Sequence, residues 1–208
     1  MITRRNFSNL IFKGLIFSSY SLLVSFLSSS TEASDVTPKP YQSTFERQGL
    51  HSQSWFLNSF FDLKDDLADA TTQGKRFAII WELAGCPYCR ETHLVNFASP
   101  DISNYIKKNF EVLQLDLRGS REVIDFDGKK LTERELAKRN NIRFTPTIQF
   151  FSEDLKISSN KKRLEKIEVS RMPGYFPPQH FLEMFKYVHD KGYEDGDYHS
   201  YLKAKEKQ

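Results

Sequence analysis

The run Arg76-Phe77-Ala78-Ile79-Ile80-Trp81-Glu82-Leu83 is short, compact and crowded with bulky apolar side chains. Its length and flanks are those of a strand buried on both faces. After Ala84-Gly85 comes Cys86-Pro87-Tyr88-Cys89, which contains both cysteines of the 208-residue chain. Residues 90–97 then resume helical spacing. A central strand feeding straight into a helix commits the chain to α/β layering. It also puts the cysteine pair at a strand-to-helix junction.

That junction gives the pair a chemistry. Cys86 is expected at the N-cap and Pro87 at the first helical position, where a missing N–H costs nothing. Free N–H groups and the helix dipole then face the Cys86 sulfur and favour its thiolate. Cys89, one turn further in, is expected to be more buried. The spacing brings the two sulfurs within bonding reach, so Cys89 can resolve a mixed disulfide made by Cys86 and leave a Cys86–Cys89 disulfide. A four-residue ring gains little entropy on closure beside the roughly 3 kcal/mol of a 15-residue loop, so the pair is no structural staple. Two inert core thiols would leave Pro87 unexplained. A metal reading adds His93, four residues after Cys89, but a closed zinc site takes four ligands. His51, His180, His189 and His199 are scattered, and the pattern gives no metal site.

The first 33 residues differ from the rest. Arg4, Arg5 and Lys13 precede a charge-free stretch, residues 14–31, that is rich in Leu, Ile, Val and Phe. Its serines dilute it as a permanent membrane span, and Thr31-Glu32-Ala33 offers a small residue for cleavage. Residues 1–33 therefore read as a signal peptide, with an uncleaved anchor facing the periplasm as the alternative. Thr3-Arg4-Arg5-Asn6-Phe7 leaves the general and twin-arginine export routes both open. The expected location is periplasmic, where a cysteine pair can be oxidised and stay so. Residues 34–54, with Pro38 and Pro40, read as a linker. The formal net charge of the chain is +3. With no basic run carrying interleaved aromatics, nucleic acid is not an expected partner.

Apolar spacing predicts a helix over 55–72 with Gly74 as its C-terminal cap, a helix over 99–109 and a strand over 110–117. Residues 122–132 read as a hairpin, with Asp127-Gly128 as a type I′ turn. Thr132 and Glu135 form a candidate capping box for a helix over 133–140. A strand follows Thr145-Pro146, another precedes Pro173-Gly174, and residues 178–191 form a last helix. Residues from 192 onward read as a polar tail.

This order of elements resembles the thioredoxin-like thiol–disulfide oxidoreductases over roughly residues 63–191. The marks that carry the resemblance are Cys86-Pro87-Tyr88-Cys89 and Thr145-Pro146. It implies an α/β fold with a central mixed sheet flanked by helices, a domain over 55–191 and a hairpin insertion before the proline. By the same resemblance Pro146 is cis, and the Thr145 backbone holds a substrate segment in extended pairing. An ordinary turn leading into a strand is the plainer account of Thr145-Pro146. More narrowly, residues 66–89, the hairpin and residues 171–188 are similar to periplasmic proteins of the SoxW type. That implies disulfide-containing periplasmic proteins as partners, electrons from a membrane thiol transporter of the CcdA/DsbD kind, and action as a monomer without a cofactor. A DsbA-like oxidase or isomerase is the rival within the fold, and a copper or zinc chaperone the rival outside it.

The sequence departs from the thioredoxin pattern in two ways. Cys-Pro-Tyr-Cys replaces Cys-Gly-Pro-Cys, and Ile80 stands where thioredoxin has a buried Asp. Glu82 is the nearest carboxylate and either handles the Cys89 proton or is an exposed strand-end glutamate. Tyr88 is either a partner-contact residue or filler at the helix start.

Overall fold

The computed structural model describes residues 44–45, 49–153 and 167–205, all of which lie within the unit Lys39–Gln208. The expected signal peptide falls outside the described residues.

A four-stranded mixed sheet carries the fold. Its order is β4 (Phe110–Asp116), β3 (Arg76–Glu82), β7 (Thr147–Phe151), β8 (Glu168–Pro173). β3 runs parallel to β4 and antiparallel to β7, and β7 runs antiparallel to β8. Every residue of β3 and β7 is buried, as their apolar composition requires of strands covered on both faces.

Alternation along β3 divides the core. Phe77, Ile79 and Trp81 pack on one face with Leu63, Leu67 and Ala70 of α1 (Leu63–Thr72) and with Leu136 of α4 (Glu133–Arg139). Ala78 and Ile80 pack on the other face with α3 (Pro100–Asn109) and α5 (Pro178–His189), largely through phenylalanines. Phe110, Phe150, Phe181 and Phe185 meet there with ring centroids 4.9–6.1 Å apart.

The helix expected over 55–72 begins only at Leu63. Asp62 caps it, its Oδ1 accepting the Lys64 and Asp65 N–H groups, and Phe61 just before it has φ +64°. The apolar spacing that suggested one helix belongs to side chains on opposite faces of the sheet. Trp55 and Phe56 pack with the α3/α5 side, and Leu63 and Leu67 with the α1 side. No straight helix could serve both.

β5 (Glu122–Ile124) and β6 (Lys130–Thr132) form the hairpin. Its connection is not the two-residue type I′ turn. Such a turn needs positive φ at both central residues, and here Gly128 has φ +80° while Asp127 does not have positive φ. The Asp125 N–H donates to the Lys129 carbonyl and the Gly128 N–H to that of Asp125, closing a longer loop. The Thr132–Glu135 capping box starts α4.

Two peripheral stretches are built in. Residues 50–57, within or beside the stretch read as linker, include buried Leu50, Ser52 and Gln53. β2 (His51–Ser52) pairs with β1 (Thr44–Phe45), and the Leu57 N–H donates to Val112 on the β4 edge. At the other end, α6 (Tyr198–Lys205) lays Tyr198 and Tyr201 against Tyr187 of α5. Among the described residues, no helix is long and apolar enough to cross a membrane.

Candidate active site

β3 ends at Glu82, and the chain turns through Gly85 at φ +75°, a conformation that side chains rarely adopt. Cys86 caps α2 (Pro87–Glu91), with Pro87 in its first turn. Cys86 and Cys89 are joined in a disulfide, their Cα atoms 5.3 Å apart. The Cys89 N–H points at Cys86 Sγ over 3.1 Å, so an orphan donor of the helix start meets the sulfur that would carry negative charge on reduction. Cys86 is half-buried and Cys89 buried. An external disulfide therefore reaches Cys86 first.

The second half of the site comes from the loop that leads into the neighbouring strand, β7. The Thr145–Pro146 peptide is cis. Thr145 places both its carbonyl oxygen and its hydroxyl 3.4 Å from Cys86 Sγ, with the hydroxyl positioned to donate. Pro146 is buried, and its carbonyl accepts the Gly174 N–H at 2.7 Å, which ties the loop after β8 to the loop before β7.

That tie makes a rim. Tyr88 is 61% exposed and stacks on Tyr175 at 6.4 Å and 24°. Tyr175 approaches Asn96, whose side chain donates to the Phe176 carbonyl. Phe144, next to Thr145, is 63% exposed. The 173–176 turn is thus part of the site's edge rather than a plain connection into the last helix.

Glu82 is not at an exposed strand end. It lies 1% exposed on the same face as Ile80, and both its oxygens reach His93 Nε2, at 3.0 and 3.1 Å. The Gln114 side-chain amide donates to Glu82 as well. His93, which the metal reading needed, instead engages Gln53 through Nδ1 at 2.9 Å and Glu82 through Nε2. It sits in a π-helical turn, Thr92–Asn96, that continues α2, a local geometry often found at functional sites. Among the described residues no cluster of three or more His, Cys, Asp or Glu side chains could hold a metal ion.

Sequence reasoning missed Gln53, Gln114, Phe144 and Tyr175. Their contacts join segments far apart in the chain, and only the Pro173-Gly174 signal hinted at Tyr175. His93 was visible through its spacing from Cys89, but its partner was not.

A family profile described as a thioredoxin-like domain matches residues 63–162. This chain carries a thioredoxin-like domain. Among solved structures, a thioredoxin-fold protein from Helicobacter pylori superposes with TM-score 0.51 at 23% identity, covering 63% of this chain and 81% of that one. A thioredoxin from Thermus thermophilus gives TM-score 0.49 at 23% identity, covering 67% and 92%. No curated protein matches the sequence significantly. The thioredoxin-like α/β fold expected from the element order is borne out by both the family match and the architecture. The narrower SoxW-type likeness is not confirmed by these comparisons.

Proposed function

We propose that this protein is a thiol–disulfide oxidoreductase that reduces disulfides of partner proteins outside the cytoplasm. The observation that carries the reading is the asymmetry of the pair. Cys86 is half-buried, caps a helix and faces Thr145, while Cys89 is buried behind it. The reduced Cys86 thiolate attacks a partner disulfide, and the far partner sulfur leaves as a thiolate. Cys89 then attacks Cys86 Sγ, forms the disulfide seen here and releases the second partner sulfur, so two electrons pass to the partner. The Thr145 backbone, beside the sulfur under attack, offers extended pairing to the partner's chain.

The leader-like residues 1–33 support a periplasmic site of action, with the inner-membrane-anchored form as the variant of that reading. The SoxW-type resemblance supports partners in sulfur oxidation or cytochrome maturation, and re-reduction by a membrane thiol transporter of the CcdA/DsbD kind. The test is exchange on insulin and on a trapped partner. Cys86→Ser should abolish activity, and Cys89→Ser should accumulate covalent adducts. Full insulin reduction by Cys86→Ser would refute the mechanism. The direction of electron flow is read from the Cys86–Cys89 potential, near about −270 mV for a reductant and about −120 mV for a DsbA-like oxidant.

A further inference from the structure

The chain just before the cis peptide makes a notch. It opens where β7 begins and β8 ends, at the Thr147–Pro173 register, and holds about 230 Å³. At ~30 Å³ per molecule that is room for several waters. Asn141, Arg143, Phe144, Arg171 and Pro173 form most of its wall. Phe144 and Arg143 stand one and two residues before Thr145, whose carbonyl and hydroxyl lie 3.4 Å from Cys86 Sγ. The notch is therefore beside the sulfur that a partner disulfide meets, yet none of its side chains takes part in the exchange steps.

Its hydrogen-bonding side chains are one-sided. Asn141, in the left-handed region at φ +55°, accepts the Arg143 Nε–H through Oδ1 at 2.9 Å. That occupies the acceptor of the Asn141 amide and leaves its NH2 group. Arg143 is exposed, and among the described residues no carboxylate pairs with it. Arg171 gives Nε and Nη2 to Glu168 at 2.6 and 2.7 Å, and its Nη1 makes no hydrogen bond among the described residues. The Thr147 hydroxyl donates to the Phe144 carbonyl. The side-chain groups that remain are all donors. Arg143 and Arg171 against Glu168 also leave one positive charge uncompensated.

Arg171 is held in place from the core. The buried Trp81 indole donates to Gln149 Oε1 at 2.6 Å, and Gln149 Nε2 donates to Glu168 Oε2 at 2.8 Å. Glu168 in turn grips the guanidinium along its Nε–Nη2 edge. The pose is set before anything binds, which lowers the entropy lost on binding. The far end of the rim has the opposite sign. Burial and, after it, the Glu91 carboxylate push the Tyr175 phenol up, so Glu91 stands near the Tyr88–Tyr175 stack. Arg90, its neighbour on α2, acts on His51 instead.

We propose that the notch binds a carboxylate side chain of the partner protein, two residues from the cysteine under attack, with Arg143 as its main contact and Arg171 and Asn141 completing the donor set. The inference rests on the exchange reaction proposed above and names the partner segment that reaction prefers. An extended chain beside Thr145 advances about 3.3 Å per residue and turns every second side chain to the same face. The residue two away from the partner cysteine therefore faces this protein, about 6.6 Å along the groove. On the Phe144 side it meets donors and net positive charge. On the Tyr88 side it meets Glu91. Of the positions two before and two after the cysteine, only the one over the notch favours an acid.

The probes are short capped peptides with one central cysteine carried as its thionitrobenzoate disulfide, and Ala, Glu or Lys two residues before or two residues after it. In the reduced full chain the Cys86 thiolate attacks the peptide sulfur. Thionitrobenzoate, the better leaving group, departs with the bonding electron pair, and its absorbance gives the second-order rate. At one of the two positions Glu should speed the reaction about fivefold over Ala, the size of effect of a partly exposed ion pair, and Lys should slow it. Arg143→Gln should bring the Glu-to-Ala ratio below about twofold, and about 1 M NaCl should shrink it in the wild type. Arg90→Gln removes an equal charge from α2 and should leave the ratio intact. Equal rates for Glu and Ala peptides at both positions, or an equal Glu effect at both, overturn the notch while exchange stands. So does a ratio that survives Arg143→Gln or is lost in Arg90→Gln. Absence of release from every peptide overturns exchange and the notch together.

Discussion

On the proposed function, Tyr88, Phe144 and Thr145 would share one task, to present a partner's chain to Cys86. Thr145 contributes polar atoms at 3.4 Å from the sulfur, and Tyr88 and Phe144 contribute apolar area that a monomer gains nothing by exposing. Tyr88 is braced by Tyr175 and so loses little freedom when a partner covers it. Phe144 carries the cleaner prediction, because its ring is open and it lies outside the helix that holds the cysteines. Phe144→Ala should raise KM for a folded protein disulfide about tenfold, equivalent to about 1.4 kcal/mol. Turnover of a small disulfide such as cystine should change less than twofold. Steady-state kinetics on the two substrates decide the matter, and equal losses on both would mean that Phe144 shapes the sulfur chemistry instead.

α1 and α4 show how much a local pattern can specify. The Thr132–Glu135 box was legible because its signal lies within four residues, and the hydroxyl and carboxylate close it as written. Thr132→Ala should lower unfolding stability by about 1 kcal/mol, measured by urea denaturation at pH 7. Less of the start of α1 was legible, since the spacing of Trp55, Phe56 and Leu63 is compatible with a helix until one knows which face of the sheet each side chain joins. The same blindness hid the buried state of Glu82, whose partners His93 and Gln114 come from a helix and a neighbouring strand. The hairpin was legible but its turn was not, because Asp127-Gly128 fits several loop lengths and only the Asp125 bonds select one. α1 also stores a pH dependence. Burial, only partly offset by the Ser59 hydroxyl, pushes Asp66 up to about 6. With the folded pKa above the unfolded value, the folded state holds the extra proton between about pH 4 and 6, so this group costs stability as pH rises through that window. Asp66→Asn should therefore raise stability by about 1–3 kcal/mol at pH 7.5. The gain should fade below about pH 4, and melting curves at the two pH values test it. A gain independent of pH would exclude the carboxylate as its source.

The sheet's two faces are finished by different parts of the chain. The α1/α4 face is built almost wholly from residues within 63–162, the part that matches the family. The α3/α5 face draws Trp55 and Phe56 from before that stretch, and Phe181, Phe185, Tyr187, Tyr198 and Tyr201 from after it. The stretch before it lies over His93, and the stretch after it reaches the site's edge through the 173–176 turn, where Gly174 meets Pro146 and Tyr175 stacks on Tyr88. α6 is polar in sequence and reads as a tail because its few aromatic residues count for little in composition. Their placement matters more. Tyr198 and Tyr201 meet the Tyr187 ring at 5.5 and 5.2 Å, the Tyr198 hydroxyl donates to the His180 carbonyl, and Lys205 pairs with Glu183. The ion pair is partly exposed and contributes at most about 1 kcal/mol, so the tyrosines carry the docking. Truncation after Asp197 should cost about 2–3 kcal/mol, from apolar area returned to water at roughly 25 cal/mol per Å². A loss of that size lowers the melting temperature by about 4–12 °C in a chain of this length. The exchange rate of the surviving folded protein should stay within about twofold of the full chain. Lys205→Ala alone should shift melting by less than about 4 °C, which separates aromatic docking from the ion pair. If truncation leaves the melting temperature unchanged, α6 is not part of the folded core's support.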